Sequence, residues 1–199
     1  MDYYRIIADN FQSTIETIAM SVDSLAEMIE QSSHLMSRAL LADRKIIACG
    51  NGVDAALAQL FACNLVNRFE EDRPALPALT LGAESACVTA IAQSSSINDI
   101  FSRQLRALGQ AEDILLCINS SRGAGNLLRA VQTAQDRNMG VILLSNSRDG
   151  ELGALIRPED VQLQVHATHQ ARIVEIHTMV IHSFCELIDQ SLFGNYNRE

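Results

Sequence analysis

Apolar side chains recur every three to four positions through the first forty or so residues, at Ile6, Ile7, Phe11, Ile15, Ile18, Val22, Leu25, Met28, Ile29, Leu35, Met36, Leu40 and Leu41. No Gly or Pro interrupts residues 3–42, so this period predicts one long helix or two. The pattern then changes. Lys45–Cys49 is a short apolar run that stops at Gly50-Asn51-Gly52, after which AALAQLFACNLVNRF resumes helical spacing, and the segment reads as strand, tight turn, helix. Further strands are predicted over Leu76–Leu81, Asp113–Ile118, Gly140–Ser145 and Val161–Val165. Helices are predicted over Ser85–Gln93, over Asp99–Leu108, from the loop at 119–123 to about Asn138, and from about His169 to Leu192, with Gly194–Glu199 as a tail. Strands alternating with helices imply an α/β protein: a doubly wound, five-stranded parallel sheet of flavodoxin-like type, covered on both faces and preceded by a helical extension. One domain is expected over 1–199, with the helical region in 1–42 and the α/β core and last helix in 43–193.

Composition narrows the function classes. The 199 residues are 48% hydrophobic, enough for one sizeable core. Charged residues or His break every apolar stretch long enough to span a bilayer, and MDYYRIIADNF lacks the basic and apolar regions of a signal peptide. A cytoplasmic protein without membrane contact is expected. The net charge of −9 opposes phosphate backbones, so direct nucleic-acid binding is not expected. The five cysteines, Cys49, Cys63, Cys87, Cys117 and Cys185, form no CxxC pair and lie in apolar segments, which predicts reduced core thiols.

Ligands of an open parallel sheet bind beyond the carboxyl ends of its strands, so the loops after KIIAC and DILLCI are the places to look. The first, Gly50-Asn51-Gly52-Val53-Asp54, runs straight into a helix whose free N–H groups suit an anion. The second carries hydroxyls on Ser120 and Ser121, a cation on Arg122 and Gly123 behind them, again at a helix start. Hydroxyls and backbone amides together suit a phosphate group. The same residues also serve as plain turn and capping residues, and Asp54 as a first-turn acid favoured by the helix dipole.

The segments CGNG, NRFEEDRPALPAL, NDIFSRQLRALG, EDILLCINSS and ARIVEIHTMVIH, in this order, resemble the SIS-domain phosphoheptose isomerases and their relatives, the DnaA initiator-associating proteins. The resemblance spans nearly the whole chain and implies an SIS domain, a homotetramer and a phosphorylated heptose as ligand. It also implies a His and a Glu on the helix after the first loop, and a Gln and a His on the last helix, for metal binding and acid–base work. The matching positions here are Leu60, Asn64, Val174 and His182. Leucine and valine offer no donor atom, and an amide exchanges no proton near neutral pH. In the phosphate cradle, Asp54 stands where the resemblance implies a serine, and Asn119-Ser120-Ser121-Arg122-Gly123-Ala124 keeps two of the implied hydroxyls. Gln93-Ser94-Ser95-Ser96-Ile97 replaces an Asn-Asp-aromatic loop.

These departures point to a non-catalytic homotetrameric scaffold without a cofactor. Such a scaffold would present several copies of one surface to the replication initiator DnaA, and Leu192 and Phe193 at the end of the last helix would be partner anchors. The alternatives are sedoheptulose 7-phosphate isomerase, with zinc and with groups such as Glu175 and His177 in place of the missing ones, and a sugar-phosphate sensor that binds through Asn51, Gly52, Asp54, Ser120, Ser121 and Arg122.

Overall fold

The computed structural model describes residues 1–194; the expected tail beyond Gly194 lies outside them. Helix α1 (Tyr3–Leu41) is a single 39-residue helix. Its start is capped by Asp2, whose carboxylate accepts from the Arg5 amide at 3.2 Å. The chain continues through β1 (Ile46–Gly50), α2 (Val53–Val66), β2 (Ala78–Thr80) and α3 (Ser85–Ser94), then a 3-10 turn at Ile97–Asp99 that leads into α4 (Ile100–Leu108). It closes with β3 (Ile114–Ile118), α5 (Gly125–Asp136), β4 (Gly140–Asn146), α6 (Gly150–Gly153), β5 (Val161–Val165) and α7 (Gln170–Phe193).

The five strands form one sheet in the order β2-β1-β3-β4-β5, and every pairing is parallel. This is the expected doubly wound, flavodoxin-like order. Side chains alternate across the sheet and divide the core into two layers. Ile46, Ala48, Leu116, Ile142, Leu144 and Leu163 pack against α1, α2 and α7. Ile47, Cys49, Leu115, Cys117, Val141 and Leu143 pack against residues of α3, α4 and α5.

Two buried carboxylates fasten the amino ends of the strands. Asp113, just before β3, accepts from the Lys45 amide at 3.0 Å, the Lys45 Nζ at 2.7 Å and the Gln110 amide at 2.7 Å. Asp160, just before β5, accepts from the Val141 amide at 2.9 Å and from Arg157. Each carboxylate thus holds the first residues of a neighbouring strand, where parallel pairing alone leaves amides unmet.

Three local expectations change. The strand predicted over Leu76–Leu81 shortens to Ala78–Thr80, because Pro77 has no N–H to give a ladder and the strand lies at the sheet edge. The short helix α6 was not predicted, since four residues carry no periodicity. Cys63 and Cys87 are exposed, whereas Cys49, Cys117 and Cys185 are buried; the first two sit on outward positions of α2 and α3. Among the described residues, no helix is long and apolar enough to cross a membrane.

Replacing Asp113 by Ala leaves two amides and an ammonium group without their acceptor. The variant is expected to lose about 3 kcal/mol of stability, read as a lower urea midpoint at unchanged m-value.

Candidate functional site

After β1 the chain passes to α2 on one face of the sheet, and after β3 it passes to α5 on the other, so the two loops diverge and leave a crevice at the carboxyl ends of these neighbouring strands. The β1–α2 turn needs its glycines. A Cβ on Gly50 would lie 2.6 Å from the backbone of Asp54, and Gly52 has φ +57°. The turn also places Asn51 against the second loop. The Asn51 and Asn126 side-chain amides pair reciprocally, at 2.9 and 2.8 Å. Neither α2, which begins after Gly52, nor α5, which begins after Ala124, has a side-chain cap; the Asp54 and Ala55 amides donate to the Asn51 and Gly52 carbonyls and the Leu127 amide to that of Ala124, so the amides of Val53 in α2 and of Gly125 and Asn126 in α5 are the ones left for a ligand or water.

Asp54 does not cap its helix. It is 2% exposed, and its Oδ2 accepts from the Ser120 amide at 2.9 Å, joining the two loops. Burial pushes its carboxyl up, against the pull of the Ser120 amide and hydroxyl. The Ser120 hydroxyl accepts in turn from Gln170 Nε2 at 3.0 Å, which brings in the first turn of α7. Behind these lies a second polar layer. Asn119 donates to the buried carboxylate of Asp149, and Asn146 Nδ2 donates to the Ser121 carbonyl at 2.7 Å. Burial also raises the Asp149 carboxyl. Ser121 and Arg122 are exposed at the rim. Arg122 makes no ion pair among the described residues. The structure therefore brings Asn51, Gly52, Asp54, Ser120, Ser121 and Arg122 to one crevice. Gln170 and Asn126 belong to it as well and were missed, because nothing local to their sequence ties them to loops fifty or more residues away.

The second group lies on α2 and α7. Leu60 and Val174 are half-buried against the core. Asn64 is half-buried, its carbonyl accepting from Arg73 at 2.8 Å and its side chain bonding the Cys185 thiol, which burial pushes up to about 12. Arg73 itself is tied to Asp189 at 2.8 Å. His182 is exposed, its ring 5.6 Å from that of Phe69. These four positions offer two hydrocarbon side chains, one amide and one imidazole, a donor set that does not fit zinc. Among the described residues, no three His, Cys, Asp or Glu side chains come together to hold a metal. His177 does not join His182: it is fully buried. Glu175 is bound to Arg172 at 2.6 Å and to Thr14 at 2.9 Å. Leu192 and Phe193 are half-buried against the core layer that α1 shares.

A separate cleft of about 480 Å³, lined by Leu35, Arg38, Glu112, Asn138, Met139 and Arg157 among others, opens at the opposite end of the sheet. Its Arg157 is already neutralised by Asp160 and Glu159.

The sequence model of the SIS domain family matches residues 9–146. The chain belongs to the SIS domain family. This SIS protein is 46% identical over 194 residues to the phosphoheptose isomerase of Alkalilimnicola ehrlichii, covering 98% of this chain and 99% of that one. It is 42% identical over 195 residues to that of Chromohalobacter salexigens, with 98% and 99% covered. Among solved structures it superposes on a phosphoheptose isomerase of Francisella tularensis with a TM-score of 0.92, at 35% identity over 96% of this chain and 100% of that one. The corresponding Neisseria gonorrhoeae structure gives 0.88, at 35% identity over 94% and 98%. These relatives correct the expectation of a non-catalytic scaffold for DnaA. Proteins matched over nearly their whole length carry the isomerase name.

His177 gives the SIS protein a pH signature. Its Nε2–H donates to the Ser145 carbonyl at 3.2 Å, its Nδ1 has no partner, and burial lowers its pKa from 6.5 to about 4. The unfolded chain takes up the proton at higher pH than the folded one, so this stability is full above about pH 6.5 and is lost as pH falls toward 4. Between pH 7.5 and 5 the wild type should lose about 2 kcal/mol more than a His177→Gln variant, measured by urea unfolding at each pH.

Proposed function

We propose that this SIS protein is a phosphoheptose isomerase of the aldose–ketose class that acts on sedoheptulose 7-phosphate. The observation that carries the reading is the 41–46% identity to phosphoheptose isomerases over nearly the full length of both chains. The crevice supports it. Two uncapped helix starts, the hydroxyls of Ser120 and Ser121 and the guanidinium of Arg122 converge where a phosphate ester would sit.

The reaction moves one proton from C1 to C2 through an enediol, while the carbonyl oxygen gains a proton and the C1 hydroxyl loses one. Leu60, Asn64 and Val174 move no proton on this reading. We assign the acid–base role to His182, the one titratable side chain at the four matched positions. It lies twelve positions along α7 from Gln170, about 18 Å of helix, so the reading also includes a homotetramer in which His182 serves a crevice shared with another copy. Tyr3, Tyr4, Ile6, Ile7, Phe11 and Ile15, all exposed along the first half of α1, support such an assembly.

Purified protein is expected to convert sedoheptulose 7-phosphate to the aldose at ordinary enzyme rates, above about 1 s⁻¹. His182→Ala should lower kcat roughly 10²–10⁴-fold; a wild type that binds the sugar phosphate without turning it over would refute catalysis. Light scattering should give the mass of a tetramer for the wild type and a smaller one for Phe11→Asp combined with Ile15→Asp.

A further inference from the structure

Asp54 takes no part in the isomerisation steps, although it stands where the two loops of the crevice meet. One of its oxygens is satisfied by the Ser120 amide. The other, Oδ1, is buried and has no hydrogen-bond partner among the described residues. No Lys, Arg or His pairs with it among those residues either. A carboxylate 2% exposed with one oxygen unmet is costly in its charged form. A phosphate dianion brought to these loops would add like charge where water screens poorly. A single proton removes the conflict, because a neutral carboxyl gains an O–H donor while its other oxygen still accepts.

We propose that Asp54 is the specificity-determining residue of the phosphate cradle and that it binds phosphate only as the neutral acid: one proton from solvent adds to Oδ1 as the ester binds, Oδ2 keeps the Ser120 amide, and the Oδ1 hydroxyl donates to a phosphate oxygen. The inference rests on the reading that a phosphate ester is held at these loops. Burial, which raises the Asp54 carboxyl, lowers the cost of adding that proton. The other titratable or charged groups on the elements framing Asp54 are Cys49 on β1, Cys63 on α2, Cys117 on β3, Arg122 in the β3–α5 loop, Asp149 beyond β4, and Arg172, Glu175 and His177 on the first half of α7, where Arg172 and Glu175 pair with each other. The Cys49 contact and burial push the Cys117 thiol up, which keeps it neutral. Asp149 is engaged by Asn119 behind the crevice. Arg122 opposes protonation of Asp54 from the exposed rim.

The test is calorimetric titration with sedoheptulose 7-phosphate between pH 7 and 9, where the ester is a dianion, in two buffers of different ionisation enthalpy. The wild type should take up about one proton per ligand and lose affinity about tenfold per pH unit. Asp54→Asn keeps an acceptor for Ser120 and always has a donor for phosphate. It should take up no proton and bind with pH-independent affinity, as should Asp54→Ser, and both should exceed the wild type at pH 9. Wild-type binding without proton uptake, with an affinity as flat as that of the variants, would overturn the inference and leave the isomerase reading standing. Absence of binding by the wild type and both variants at every pH would overturn both.

Discussion

The lateral pairing of β1 with β3 is the contact on which the rest of the structure depends. Ile46 through Gly50 lie in parallel register with Ile114 through Ile118, and both strands are buried along their whole length. The chain leaves them toward opposite faces, so no arrangement of side chains could close the space between their loops. Topology makes the crevice, and the residues at its mouth only furnish it. The Asn51–Asn126 amide pair and the Asp54–Ser120 bond then span it, fixing the distance between two helix starts that would otherwise be set by loops alone.

Fold and site differ in how much of them the sequence discloses. Apolar runs bounded by Gly, Asn and Asp made β1, β3 and β4 legible, since a strand buried on both faces is rich in Ile, Leu, Val and Cys, while the alternation of Val, Gln, Leu, Gln and Val marked the half-buried β5. Edge strand β2 was less legible, because Pro77 and its half-buried neighbours weaken the same signal. Cys63 and Cys87 misled because cysteine is apolar enough to suggest a core, while the helix phase that turns them outward depends on where α2 and α3 begin.

The loops of the site could be named from their Gly, Asn and Ser content. Their mutual contacts could not: the Ser120 amide meets a carboxylate 66 positions earlier, and Gln170 meets the Ser120 hydroxyl 50 positions away. The comparison of single positions pulled in the wrong direction on function. Leu60, Asn64, Val174 and His182 are four positions, whereas similarity distributed over the whole chain bears on the reaction class more broadly than four side chains do.

The placement of the two carboxylate fasteners has an evolutionary consequence. Asp113 and Asp160, at the starts of β3 and β5, secure the amino ends of the neighbouring β1 and β4, a full strand length away from the loops that face a ligand. Substitution at the ligand end is thereby decoupled from foldedness, and an apolar replacement such as Leu60 or Val174 joins the packing of α2 and α7. Such an architecture lets a lineage drift through altered ligand preferences by near-neutral steps, with selection on stability confined to one pole of the molecule and selection on recognition to the other.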